Sequence, residues 1–218
     1  MAGTITALQF QKRKDRVNVY IDGRFAFGLV AIEAARLKVG QTLSDDDIAR
    51  LQVQDEVGQA YERALNFLSY RPRSEAEVRR NLSKKGIEEP VIETVVDRLV
   101  RAGLLDDQEF ARYWVENRLR FRPRGVRALR HELREKGVSD SVIADALASL
   151  DEETAARQVA EAGARRLSHL DPRDFRRKLV AYMARRGFSY AVSEPLVEEM
   201  LAAGRCEAQS DMEREGEL

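Results

Sequence analysis

Residues 104–138, LLDDQEFARYWVENRLRFRPRGVRALRHELREKGV, contain the chain's one tryptophan, Trp114, and its densest run of arginines. They also contain a pattern that occurs elsewhere. Pro123 of RPRG precedes Gly137 of EKGV by the same interval that separates Pro72 of RPRS from Gly86 of KKGI, so two segments stand in register at an offset of 51. A third copy, from Pro172 of Asp171-Pro172-Arg173 to Gly187 of RRGF, runs one residue out of step. Anchoring on the three glycines aligns Val78 with Leu129 and Leu179, Leu82 with Leu133 and Met183, Val91 with Val142 and Val192, and Leu99 with Leu150 and Met200. Chance seldom keeps four apolar columns through three copies, so the chain reads as a tandem array of one helical unit. The expected fold is mainly α: an elongated array of three three-helix units with a small N-terminal β-hairpin or sheet.

Working outward, the units are expected at 59–105, 106–152 and 153–204. In the first, Ala60, Ala64 and Leu68 mark helix one, RPR breaks it, and Ser74 with Glu77 is spaced for a capping box before Val78 and Leu82. Gly86 stands where a left-handed residue would stop that helix, and Val91, Val95 and Leu99 mark a third. The second unit opens with Asp106 or Asp107 as N-cap and carries Phe110, Trp114 and Phe121. The third shows Leu167, Phe175, Leu179, Met183, Phe188, Val192, Leu196 and Met200 at helical spacing. Residues 205–218 are polar and acidic without period and read as a disordered tail.

Before the array, Val17 to Ile21 alternates, Asp22-Gly23 follows, and Arg24 to Leu29 is again β-rich; Asp-Gly between such runs signals a type I′ hairpin within a β element at 1–30. The preceding QKRKDR reads as an exposed polar loop or a minor nucleic-acid contact. Residues 31–58 are expected to form short linking helices, one over Val30–Lys38 closed by Gly40, the other over Ser44–Val53 with Ser44 and Asp47 as a capping box.

Composition narrows the function. The 218 residues are 34% charged and 7% aromatic, which suits exposed helices with thin cores. The net charge is zero, from 37 basic and 37 acidic residues, but the signs are segregated: nine Arg or Lys against three Glu lie between Arg112 and Lys136, while acids gather at 45–56 and 207–217. Such asymmetry points to a polyanionic or acidic partner. The lone Cys206 builds no disulfide framework, no apolar run approaches the roughly 18 residues of a membrane span, and no secretory segment is evident, so a reducing cytoplasm is the expected compartment. His131 and His169 lack partners at metal-ligand spacing, and Asp106-Asp107 fits capping better than acid-base work. With no phosphate-cradling glycine loop or nucleophile elbow, the chain is expected to be neither an enzyme nor a cofactor or metal protein.

What remains is basic surface. At 100° per residue, Val126, Leu129 and Leu133 form one stripe of a helix and Arg127, Arg130 and Arg134 a neighbouring one. Arg118, Arg120, Arg122 and Arg124 lie upstream and Lys136 downstream; the first unit offers Arg71, Arg73, Arg79, Arg80 and Lys84. Guanidinium forks suit phosphates and carboxylates equally, so charge alone leaves DNA and an acidic protein groove both open.

The pieces VNVYIDGRFAFGL, LSYRPRSEAEVRRNLSKKGI, LVRAGLLDDQEFARYWVENR and PRGVRALRHELREKGVSDSVIADAL resemble the RecX family of recombinase regulators over roughly residues 15 to 200. The resemblance implies an array of three-helix units that lies in the helical groove of the RecA–DNA filament, and the repeated glycine register leads us to expect a monomer. It also implies restraint of filament growth, ATP hydrolysis, strand exchange and co-protease function. By position it makes the faces around Arg71–Lys85 and Arg118–Lys136 the contact surface, with single- or double-stranded DNA a weaker or indirect partner. The third unit departs by lacking Arg-Pro-Arg. A competing reading is a helix-turn-helix transcription regulator, which three-helix units with a basic helix permit; the threefold repetition and the lack of a dimerisation segment weigh against it.

Overall fold

A computed structural model describes the backbone of residues 3–11 and 16–215 and the side chains of those up to 203. The chain divides into two compact units, 1–106 and 107–218.

The first unit begins with a four-stranded antiparallel sheet in the order β3-β2-β1-β4, formed by β1 (Gly3–Phe10), β2 (Arg16–Ile21), β3 (Arg24–Val30) and β4 (Thr42–Leu43). Asp22 and Gly23 both have positive φ, 48° and 79°, as a type I′ turn demands. The sheet thus takes its last strand from beyond residue 30. That strand cuts short the helix expected over Val30–Lys38: α1 spans only Ala31–Ala34. The Gly40 amide donates to the Ile5 carbonyl and the Ile5 amide to the Gln41 carbonyl, so the chain is drawn back to the edge of β1 before a helix can propagate.

The second linking helix and helix one of the first repeat are a single element, α2 (Asp45–Leu68), opened by the expected Ser44–Asp47 capping box. Gly58 lies mid-helix without stopping it; the roughly 1 kcal/mol that an interior glycine costs is outweighed by packing on both sides, against β3 and α4 (Glu89–Arg101). Here α2 also meets Arg16, buried and ion-paired to Asp55. Arg16 is the last residue of the segment expected to be an exposed basic loop; Lys12, Arg13, Lys14 and Asp15 lie outside the described residues. The repeat closes with α3 (Glu75–Ser83), capped by the Ser74–Glu77 box, over a core of Ala60, Ala64, Val78, Leu82, Ile92, Val95, Val96 and Leu99.

The second unit holds two more repeats. One is α5 (Asp107–Phe121), α6 (Val126–Glu135) and α7 (Asp140–Leu147); the other is α8 (Glu152–Leu167), α9 (Pro172–Ala184) and α10 (Tyr190–Glu215). The last helix runs on past residue 204, where a structureless tail is expected from the sequence, through residues rich in the strong helix formers Ala, Glu, Met and Arg; residues 216–218 lie outside the described set. Gly86, Gly137 and Gly187 share the same role. Each has φ between 77° and 88°, and the amide after each reaches back to the carbonyl of Leu82, Leu133 or Met183. The glycine register is therefore a register of identical left-handed helix stops.

Of the four apolar columns, the two in the middle helix are fully buried in all three repeats. The other two are buried as Val91 and Leu99 in the first repeat; Val142, Val192 and Met200 are half-buried, and Leu150, also half-buried, lies past the end of α7. Beside Val91, Val142 and Val192 the deeper positions lie one residue on, at Ile92, Ile143 and Ser193, and the third repeat spends its central place on a serine whose hydroxyl donates to the Ser189 carbonyl at 2.8 Å.

Candidate functional site

The fates of the expected contact arginines differ by repeat. In the first, Arg71 grips Glu77 with both terminal nitrogens, at 2.9 and 3.3 Å. Arg79, at the centre of α3, binds Glu93 of α4 at 2.6 and 3.0 Å, Glu75 at 2.9 Å and Glu89 at 3.4 Å, and Glu93 foremost, with Glu75, holds its charge firmly against the effect of burial. Arg73 lies half-buried 4.0 Å over the Phe67 ring, and burial, then Arg71, lowers its proton affinity. Arg80 is exposed, with its Nε donating to the Ala76 carbonyl at 3.1 Å; Lys84 is exposed. Three of these five cations are therefore engaged as fastenings of the fold.

In the second repeat the balance reverses. Glu132 on α6 accepts from Trp114 Nε1 at 2.8 Å and Arg118 Nε at 2.6 Å, and sits 3.8 Å from Arg124, so it ties α5 to α6. Arg118 and Lys136 lie on the Trp114 ring, at 4.5 and 5.1 Å. Arg134 binds Asp140 at the start of α7 at 2.7 Å, which holds the carboxyl below its usual range. Arg120, Arg122, Arg127 and Arg130 are exposed, and so is Phe121, at 65%, with Arg120 5.2 Å from its ring. The stripe expected from Arg127, Arg130 and Arg134 is thus present, but its last member is bound to the fold.

The structure adds cations that the sequence pattern does not single out. The Gly125 amide donates to the Arg186 carbonyl at 2.9 Å, joining the second and third repeats through the RPRG and RRG loops and setting Arg124 near Arg186, on which Arg166 and Arg185 also act as like charges. The available signal is the pair of loop glycines, which taken alone read only as punctuation. His131 is exposed beside Glu135, and among the described residues no group of three His, Cys, Asp or Glu could hold a metal. Among the same residues no helix is long and apolar enough to cross a membrane.

Fold and face together define a class: tandem three-helix domains behind a small sheet, presenting arginines. Family models match segment by segment: the regulatory protein RecX N-terminal domain at residues 3–44, and the first, second and third RecX three-helix domains at 60–99, 106–147 and 151–194. The chain is 35% identical over 202 residues to the regulatory protein RecX of Bacillus subtilis, covering 90% of this chain and 76% of that one. It is 31% identical over 205 residues to that of Lactobacillus johnsonii, covering 90% and 74%. A crystal structure of regulatory protein RecX superposes with a TM-score of 0.76 at 29% identity, covering 90% of this chain and 99% of the other. RecX from Lactobacillus salivarius gives 0.61 at 28%, covering 67% and 97%. The chain belongs to the RecX family of regulatory proteins.

Proposed function

We propose that this chain binds the RecA–DNA filament as a monomer in the cytoplasm, lying in the filament's helical groove. There it restrains filament extension, ATP hydrolysis, strand exchange and co-protease activity, with no catalysis, cofactor or metal of its own. The observation that carries this reading is the exposed set Arg120, Arg122, Arg127 and Arg130, in which Arg122 and Arg130 lack the hydrogen-bonded carboxylates that engage their counterparts Arg71 and Arg79 in the first repeat. A helix-turn-helix regulator reads bases from the N-terminal residues of its recognition helix. In α6 that end is covered: the Val126 amide donates to Glu152 at 2.9 Å and Gly125 abuts Gly187, which disfavours that alternative.

Co-sedimentation with RecA filaments on single-stranded DNA tests the proposal. Each charge-assisted contact is worth about 1.5–3 kcal/mol, so changing Arg120, Arg127 and Arg130 to Ala is expected to weaken binding by well over a hundredfold with the helical signal intact. Solvated arginines would cost less than about 1 kcal/mol each, and unchanged binding by the folded triple variant would place the interface elsewhere.

A further inference from the structure

At the junction of the second and third repeats the backbone contact between Gly125 and Arg186 leaves no room for a side chain. A Cβ on Gly125 would lie 2.5 Å from the Gly187 carbonyl oxygen. Arg124 is thereby fixed near Arg186. Burial first, opposed by Tyr182, and then Arg124, Arg166 and Arg185 as like charges, lower the proton affinity of Arg186. Arg186 is also held in place, its guanidinium 3.6 Å over the Tyr182 ring and its Nη1 donating to the Tyr182 carbonyl at 3.3 Å. Beside it a groove of about 220 Å³ is bordered by Arg166, Lys178 and Arg185, with Tyr182 and Gly163 among its lining. Gly163 sets the spacing of α8 and α9, since a Cβ there would come within 2.6 Å of Leu179 and 3.0 Å of Tyr182. Asp174 sits 3.8 Å from Lys178 but is already bound by Arg177 at 2.9 Å, and Glu132 sits 3.8 Å from Arg124.

We propose that Arg166, Lys178 and Arg185, with Arg186 beside them on Tyr182, form a phosphodiester site that takes a backbone phosphate of single-stranded nucleic acid. Arg166, Lys178 and Arg185 border one groove, and like charges held together repel one another until an external anion relieves that repulsion. Fork geometry favours phosphate oxygens. The groove is smaller than the roughly 300–1,000 Å³ of pockets for whole small molecules, so it suits one anionic group of a longer chain. Phe121, exposed just upstream of Arg124, offers a base a stacking surface that an acidic peptide would not use. The inference rests on the filament reading only for the choice of nucleic acid as the polyanion.

The test is fluorescence anisotropy of the full chain with labelled oligothymidylate, without recombinase, across a salt series. Arg166 and Arg185 are exposed and outside the cores, so Arg166→Gln with Arg185→Gln leaves the fold intact. Affinity is expected to fall about tenfold or more, and the log–log salt dependence to become shallower by about 0.7 for each phosphate no longer bound. The control, Arg157→Gln with Arg176→Gln, removes the same charge from arginines tied to Glu199 and to Glu194 and Glu198, and is expected to change affinity far less. Equal losses in both variants, or no loss in the first, would overturn the site. Unchanged DNA binding with abolished co-sedimentation would assign the cluster to the recombinase surface and also overturn it. Wild-type protein that binds oligothymidylate but not filaments would support the site and sink only the filament reading.

Discussion

The first and second repeats place arginines at matching positions and use them in opposite ways. At the offset of 51, Arg71 corresponds to Arg122, Arg73 to Arg124 and Arg79 to Arg130. The acids around the first set have no such counterparts: Glu75 becomes Val126, Glu77 becomes Ala128 and Glu93 becomes Ala144, while Glu89 becomes Asp140, which Arg134 engages and Arg130 influences only through its charge. Arg71 and Arg79 are therefore closed into the fold, and Arg122 and Arg130 face solvent. The lesson is that the number of arginines on a helix does not define a binding face. The acids one turn or one helix away decide whether each charge is satisfied internally or left for a partner.

The largest effect is expected where commitment is deepest. Asp55→Ala leaves Arg16 buried without its partner, and removing one member of a buried pair costs about 3–5 kcal/mol. Urea denaturation of the full chain measures it, and a loss below about 1 kcal/mol would show that Arg16 reaches water.

The helix-stop glycines give the next comparison. Gly86→Ala meets open space and bears only the strain of a left-handed alanine, about 1–2 kcal/mol. At Gly187 the same change drives a Cβ to within 2.4 Å of Ala128, which adds about 1–3 kcal/mol of overpacking at the junction of two repeats. Equal losses of stability for the two variants would mean that this junction yields.

Arg79→Gln and Arg130→Gln separate fastening from contact. The first is expected to lose about 1 kcal/mol of stability with little change in filament binding. The second should stay within about 0.5 kcal/mol of wild-type stability and bind filaments more weakly. Ala144→Glu sharpens the contrast, because it supplies Arg130 with the carboxylate that Glu93 supplies to Arg79; at this exposed position it is expected to weaken co-sedimentation several-fold without loss of stability.

The smallest effect is with pH. Asp47, Asp140 and Asp151 lie below their ordinary 3.8 and Glu93 below its ordinary 4.5, through Ser44, Arg134, Thr154 and Arg79 respectively. A carboxylate depressed in the folded state contributes stability above its unfolded pKa and loses it as pH falls through the folded one. Thermal midpoints are therefore expected to hold near neutrality and to decline below about pH 4.5. Midpoints that rise on acidification would contradict these pairings.

The sequence by itself determined the repeat, the helix stops, the capping boxes at Ser44 and Ser74 and the Asp22-Gly23 turn, because each depends on residues within a few positions of one another. The apolar columns of the middle helix are legible for the same reason, since Val78 and Leu82 are one turn apart. In the last helix the column of Val142 and Val192 falls one residue early, because the face turned inward depends on how neighbouring helices cross. Tertiary structure alone decided that α2 continues from linker into repeat, that Thr42–Leu43 closes the sheet, and that Arg16 is buried. It also brought Arg124 beside Arg186, a full repeat further along the chain. Ion pairs and interhelix grooves join residues distant in sequence, and local periodicity carries no information on which charges will meet across a helix pair.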